Sequence, residues 1–164
     1  MKPTRGSLRV VLNTSPLIVL SKLGLLELAL TELFYEAQIP QGVLSELGRK
    51  DDAVYHLVKD LVRRGLLKVE EVSVSFPRLG VGESSAILVA LNKGKVAVID
   101  DKRARRLARE LGLEVIGTIA ILRELYERGY LKMTIEELYI KLLDLGFYIK
   151  KDSYNKIFKN KDIK

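Results

Sequence analysis

Two adjacent carboxylates, Asp100 and Asp101, come directly after an apolar run at residues 96–99. A continuous apolar run of this kind is typical of a strand that is buried on both faces of a parallel sheet. Polar residues also follow two other predicted strands, Asn13 after the first and Thr118 after the last. Because ligand sites in such sheets form at the carboxyl ends of the strands, we expect these side chains to lie near a common site.

Two further carboxylates, Glu46 and Glu83, lie beside apolar positions of predicted helices. Glu83 precedes Ala86 and Ile87 by three and four residues, which places it on the helix face that points into the protein. A carboxylate turned toward the core is costly unless it is paired or bound to a metal. Mg²⁺ and Mn²⁺ bind oxygen ligands, and phosphodiester cleavage uses such ions to activate water and to neutralise the phosphate. The acidic residues therefore form a candidate site for metal-dependent phosphodiester hydrolysis.

Each of these polar residues also has a purely structural interpretation. Asp101 can cap the helix that follows it, and Asp100 can be a turn residue at a strand end. Glu83, near the start of its helix, can interact favourably with the helix dipole. Glu46 can be a surface residue, and Asn13 can be a turn former. The residues taken one by one leave both interpretations open.

A basic stripe lies on the helix after the acidic pair. It consists of four residues: Lys102, Arg105, Arg106 and Arg109. The opposite face is expected to point inward: Ala104, Leu107, Ala108 and Leu111. The net charge of +7 favours anionic partners, with nucleic acid ahead of a membrane surface. The stripe can hold phosphates near the acidic residues, or it can be an ordinary solvated face.

Length and composition indicate one globular domain over residues 1–164, with 48% hydrophobic and 30% charged residues. The chain has no cysteine, which excludes disulfides and thiolate zinc sites. Its one histidine, His56, excludes His-rich zinc sites and is expected at the surface. The most apolar stretch, residues 17–30, is too short and too interrupted by charges to span a bilayer. A cytoplasmic protein without a membrane segment is expected.

Strand and helix signals alternate along the chain, which predicts a doubly wound, mostly parallel sheet. The strands are predicted at 8–12, 34–39, 67–74, 96–99 and 114–116. The first helix is expected to begin at Ser15-Pro16, with the serine as its cap. A capping box at Thr134 opens a helix that ends near Leu145, and residues 150–164 form a basic C-terminal helix or a tail that frays.

Five short segments occur in a characteristic order. They are LNTSPLI at 12–18, IP at 39–40 followed by Val43 and Glu46, GESSA at 82–86, DDKRAR at 100–105 and IGT at 116–118. Together they resemble a PIN-domain subfamily of prokaryotes, over nearly all of the chain from residue 10 to about residue 158. The resemblance implies a PIN-like three-layer α/β/α sandwich and Mg²⁺- or Mn²⁺-dependent ribonuclease chemistry.

The resemblance also implies partners and residue roles. Many relatives are toxins of toxin–antitoxin pairs and many form dimers, so the implied partners are RNA or DNA, an antitoxin protein and a second copy of the chain. The implied catalytic residues and metal ligands are Asn13, Glu46, Glu83, Asp100 and Asp101. Phosphate or RNA contacts are expected from Thr14, Ser15 and Thr118, together with the basic stripe.

Asn13 departs from the family pattern, because an aspartate is expected at this position. An amide oxygen can bind a cation, but it brings no charge, so the affinity for a metal falls. Two functions therefore stay open. The chain is either a PIN-type ribonuclease weakened by Asn13, or an inactive PIN-like module that binds nucleic acid or protein.

Overall fold

The computed structural model describes residues 8–71, 86–87, 89–90 and 94–159. Within these ranges the centre is a sheet of five parallel strands: β1 (Leu8–Leu12), β2 (Phe34–Pro40), β3 (Lys68–Glu70), β4 (Val96–Val98) and β5 (Val115–Ile116). Their order is β3-β2-β1-β4-β5, so the chain builds outward from β1 and then returns to its other side. The strand order reverses between β1 and β4, and ligand crevices of open parallel sheets form at such a point.

The register of the sheet brings three strand ends together. Leu12 of β1 pairs with Val98 of β4, and the next residue, Asn13, donates its backbone N–H to the Val98 carbonyl at 3.1 Å. The backbone N–H of Ile99 donates to the Ile116 carbonyl of β5 at 2.9 Å. The residues that follow β1, β4 and β5 are therefore neighbours along one edge.

Eight helices with described bounds surround this sheet: α1 (Thr14–Lys22), α2 (Leu26–Glu32), α3 (Gln41–Gly48), α4 (Ala53–Arg63), α5 (Lys102–Glu110), α6 (Thr118–Glu127), α7 (Ile135–Asp144) and α8 (Lys151–Lys159). Residues 86–87 and 89–90 are also helical. The capping box at Thr134 is present, since its side chain accepts the backbone N–H of Glu137 at 3.0 Å. The predicted alternation of strands and helices is confirmed.

Two apolar layers cover the two faces of the sheet. One face buries Leu12 and Val98 against the larger core, to which residues of α1, α4 and α6 contribute. The other face buries Ala97 and Ile99 under a smaller layer that includes Ala104 of α5. Helices on both faces of a parallel sheet make the three-layer α/β/α sandwich that the sequence predicts.

Three boundaries differ from the prediction. The first helix begins at Thr14 with Asn13 in the N-cap position, two residues before the predicted cap, Ser15. Leu111 is 41% exposed, because α5 ends at Glu110 and its inward face stops at Ala108. The third strand is shorter than expected and spans Lys68–Glu70, while residues 72–74 lie outside the described ranges.

The C-terminal segment is part of the folded core over the described residues. Helix α8 buries Tyr154 and Phe158, whose rings contact each other at a centroid distance of 4.7 Å. The Tyr154 hydroxyl donates to the Ile135 carbonyl at 2.7 Å, and burial raises the pKa of this phenol. Residues Lys151–Lys159 are therefore helical and anchored by two aromatic side chains, while residues 160–164 lie outside the described ranges.

Within the described ranges, no individual helix has the length and apolar character needed to cross a membrane. Helices α1 and α2 reach that length and apolarity only as a pair, with a bend of 109° between them. His56 is exposed, as expected, and its Nε2 lies 2.8 Å from the Asp51 carboxylate.

Candidate active site

The carboxylate of Asp100 lies where β4 ends and is held from two other strand ends. Its Oδ2 accepts the Ser15 hydroxyl at 2.8 Å and the Thr118 hydroxyl at 2.6 Å. Its Oδ1 accepts the backbone N–H of Thr118 at 2.8 Å. A carboxylate has about four acceptor positions, so these three hydrogen bonds leave one position for a ligand. The structure thus fixes the orientation of this carboxylate before any ligand binds.

Local structure explains why Ser15 and Thr118 meet Asp100. Ser15 is in the first turn of α1 and Thr118 is the first residue of α6, so both lie where a helix starts directly after a strand. The first N–H groups of a helix have no partner within it, and the helix dipole favours an anion there. Thr118 is fully buried, and its hydroxyl and its backbone N–H both donate to the carboxylate. Ser15 was expected to cap α1, but its hydroxyl binds Asp100 instead.

Asn13 follows β1, the strand next to β4, so it lies at the same end of the sheet as Asp100. It is 5% exposed, and its side chain forms no capping hydrogen bond with α1. The next residue, Thr14, has a buried hydroxyl that finds no hydrogen-bond partner within the described part of the chain. The residues that follow β1 therefore include polar side-chain groups whose hydrogen-bonding capacity the described residues do not fully satisfy.

The two adjacent aspartates have different surroundings. Asp101 is exposed and accepts the backbone N–H of Ala104 at 2.9 Å, so it caps α5. Asp100 contacts the ends of the neighbouring strands instead. Of the pair, Asp100 is the one that the structure places in the crevice.

The two glutamates are not brought into this cluster by any described contact. Glu46 is exposed on α3, whose buried residues are Val43 and Leu47. It forms no hydrogen bond or ion pair with another described residue, although α3 starts at the same edge of the sheet after β2. Glu83 lies outside the described residues.

The basic stripe divides into two parts. Lys102, Arg106 and Arg109 are exposed, whereas Arg105 is half-buried beside the site. The Arg105 Nε is buried and has no hydrogen-bond partner among the described residues. Burial, followed by the nearby charge of Arg109, lowers the pKa of Arg105, and the charge of Asp100 opposes this shift.

Gly117 lets the side chains of Arg105 and Asp100 lie close to its own backbone. A methyl group at this position would lie 3.0 Å from Arg105 Nη1 and 3.1 Å from Asp100 Oδ1. Its backbone φ of −109° is accessible to any residue, so the requirement for glycine is one of space. The sequence places this glycine directly after the last predicted strand, but only the fold reveals which atoms surround it.

A groove of about 790 Å³ opens beside Asp100 and was not predicted. Its lining includes Arg105, residues of α6, and the segment 147–149 between α7 and α8. No sequence pattern joins these segments, because they come together only when α8 packs on the core.

The donors at this site are of the kind that Mg²⁺ and Mn²⁺ bind. The side chains at this site offer oxygen ligands and one amide nitrogen; they belong to Asp100, Asn13, Ser15 and Thr118. Mg²⁺ is often held by one or two carboxylates together with water and substrate phosphates. Within the described ranges there is no group of three or more His, Cys, Asp or Glu side chains that could hold a metal ion. The site fits a hard cation through Asp100, with Asn13 as a neutral neighbour.

Two solved structures are similar to this chain, and the first of them supports the fold. A PilT N-terminus domain protein from the hyperthermophilic archaeon Sulfolobus solfataricus P2 is similar, with a TM-score of 0.50 and 20% identity over 77% of this chain and 97% of that one. A domain of a functionally unknown protein from Methanocaldococcus jannaschii DSM 2661 has a TM-score of 0.43 and 19% identity over 68% of this chain and 91% of that one. No curated protein matches the chain.

The family comparison covers almost the whole chain. The family model of the PIN domain (DUF3368) matches residues 9–162, which include every strand and helix with described bounds except the start of β1. PIN domains are generally nucleases and typically use divalent metal ions. Since the match spans far more than half of the sequence, the chain belongs to the PIN-domain family.

Proposed function

We propose that this protein is a metal-dependent ribonuclease of the PIN type, with Asp100 as the central metal ligand. The observation that carries the proposal is the Asp100 carboxylate, which three hydrogen bonds orient at the point where the strand order reverses. The family match supports nuclease chemistry in general. The proposal adds RNA as the substrate and Mg²⁺ or Mn²⁺ as the ion.

Each nearby residue has a role that its position suggests. Asp100 would hold the ion, with the amide oxygen of Asn13 as a neutral ligand. Thr118 and Ser15 keep the carboxylate in one orientation, and Arg105 would bind a phosphate oxygen. When bound, the ion would activate a water molecule and neutralise the scissile phosphate. Glu83, Glu46 and Asp101 are proposed as further acidic ligands.

The alternative is a PIN-like module that binds nucleic acid or protein without cleaving it. Asn13 favours this alternative, since it removes one negative charge from the position where the family has an aspartate. The two functions differ in one measurable respect: the ribonuclease turns RNA over when metal is present, whereas the module only binds it.

The test is cleavage of a mixed single-stranded RNA with Mn²⁺ and with EDTA, using the wild-type protein and four variants. Asp100→Asn and Glu83→Gln are expected to abolish metal-dependent cleavage. Asp52→Asn is the matched control, because Asp52 is an exposed helix cap on α4 and asparagine caps a helix equally well. Asp101→Asn also keeps its cap, so any loss of cleavage in this variant measures the contribution of its charge.

Cleavage that persists in Asp100→Asn would refute the proposed site. If the wild-type protein does not cleave RNA, Asn13→Asp decides between the functions. Metal-dependent cleavage gained by this variant would show that one missing charge silences the site, and continued inactivity would favour the binding module.

A toxin role with an antitoxin partner, and a homodimer, are finer proposals that rest on the family resemblance. Growth arrest on expression, lost in Asp100→Asn, would support the toxin role.

A further inference from the structure

The groove beside Asp100 is lined by both charged and aromatic side chains. Lys102 and Arg105 line the part next to Asp100, and Phe147 and Tyr148 line another part. Neither Lys102 nor Arg105 forms an ion pair with a described residue, and the Nε of Arg105 is buried without a partner. Next to Asp100, the two cations Lys102 and Arg105 outnumber the one carboxylate, so this part of the groove keeps a net positive charge.

The glutamates of the same groove are paired with arginines. Glu127 accepts the Nε–H of Arg123 at 2.8 Å, and Glu124 accepts the Nε–H of Arg128 at 2.9 Å. Both glutamates belong to α6, which begins at Thr118 beside Asp100 and leads away from it. The part of the groove that adjoins Asp100 is thus the cationic part.

Tyr148 is the most exposed of the large hydrophobic side chains in the described ranges, at 81%. Its backbone is nevertheless fixed on both sides. The N–H of Phe147 donates to the Leu142 carbonyl at 2.9 Å, and the Ile149 carbonyl accepts the Tyr139 hydroxyl at 3.0 Å. An exposed aromatic ring on an anchored segment presents a flat apolar surface at little cost in backbone entropy.

We infer that this groove binds a single strand of RNA next to the cleaved bond, with Arg105 and Lys102 on phosphates and Tyr148 stacked on a base. Each RNA nucleotide carries one anionic phosphate and one flat base, which suits a groove that has cations in one part and an exposed aromatic ring in another. Stacking of bases on aromatic side chains and phosphate contacts from basic residues are the usual means of binding single strands. The inference rests on the proposed function, which sets RNA as the nucleic acid, and it adds the subsite that positions it.

The test measures RNA binding in EDTA, so that cleavage does not affect the readout. The probes are a fluorescein-labelled adenosine decamer and a decamer of the same length with abasic ribose at every position. We expect the wild-type protein to bind the adenosine decamer about tenfold more tightly than the abasic one, since one stacked base contributes roughly this factor. Tyr148→Ala should lose that preference, and Tyr148→Phe should keep it.

Two further variants separate stacking from charge. Arg105→Gln should weaken binding of both decamers and lower the salt dependence of binding by about 0.7 in log–log slope, the value for one phosphate contact on a single strand. Tyr35→Ala is the matched control, because Tyr35 is also an exposed tyrosine but lies near the amino end of β2, at the opposite edge of the sheet. It should bind both decamers as the wild type does.

If Tyr148→Ala keeps the preference for the base-bearing decamer, the inference is wrong, and the groove is then better explained as a surface for a protein segment. This outcome is distinct from failure of the proposed function. A preference for bases that depends on Tyr148, in a protein that never cleaves RNA, would refute the nuclease and support the groove. RNA cleavage by a protein in which Tyr148→Ala leaves the preference for bases unchanged would support the nuclease and refute the groove.

Discussion

Thr118→Val removes one hydroxyl from the contacts of Asp100 and changes little else. Valine has nearly the shape of threonine, and the backbone N–H of residue 118 would still donate to Asp100 Oδ1. The lost hydrogen bond is the 2.6 Å contact to Oδ2, and hydrogen bonds to charged groups contribute about 1.5–3 kcal/mol. Asp100 is partly exposed, so water replaces some of this interaction. We therefore expect the free energy of unfolding to fall by about 1.5 kcal/mol.

The assay is urea denaturation in EDTA, together with thermal melting. For a domain of this size each kcal/mol corresponds to about 2–4 °C, so the melting temperature should fall by about 3–6 °C. In the double variant with Asp100→Asn, the two losses should not add, with a coupling of about 1 kcal/mol. Thr31→Val is the control, since the Thr31 hydroxyl is exposed and bonds only to its own helix at Leu28. A loss below about 0.5 kcal/mol for Thr118→Val, or fully additive effects, would refute the argument that this hydroxyl fixes the carboxylate.

Two other variants test the surroundings of the site. Gly117→Ala should reduce RNA cleavage about tenfold, because its methyl group displaces Arg105 and Asp100 by a few tenths of an ångström, and catalysis is sensitive to such shifts. An unchanged cleavage rate in Gly117→Ala would contradict this role of Gly117. Phe158→Ala should lower the free energy of unfolding by about 3 kcal/mol in denaturation experiments, since Phe158 is the almost fully buried residue with which α8 packs on the core. Ile140→Ala, at an exposed position, should cost less than about 0.5 kcal/mol, and a similarly small loss for Phe158→Ala would mean that α8 is not anchored as described.

The sequence predicted the framework of the site because the relevant signals are local. The apolar run before Asp100 and the Gly117-Thr118 turn each identify a strand end, and parallel strands place such ends on one edge. The capping box at Thr134 was recognisable for the same reason, since both of its partners lie within one helical turn.

The contacts that define the site were not predictable in the same way. Ser15 was interpreted as a helix cap, because capping is its most common local role, but its partner Asp100 is 85 residues away. Arg105 was assigned to an outward stripe from its helical spacing, yet the absence of a side chain at Gly117 lets it turn toward the site. The periodicity of one helix does not reveal the space that a glycine leaves at the end of a neighbouring strand.

The adjacent aspartates show the same limit. Both are equally suited to cap a helix or to bind a ligand, and the choice depends on which side chain reaches the ends of β1 and β5. The structure assigns the cap to Asp101 and the crevice to Asp100. For the C-terminal helix the local signal was present, since Tyr154 and Phe158 are four residues apart and lie on one helix face.

The wide spacing of the site along the chain has a consequence for synthesis of the protein. The hydrogen bonds of Asp100 join residues 15, 100 and 118, and the groove also needs Tyr148 and Ile157. A chain that is still growing on the ribosome therefore cannot orient this carboxylate until residue 118 has emerged, and it completes the groove only later. Contacts of such long range form late and slowly in folding. The order of translation thus delays assembly of the site until most of its own scaffold is in place.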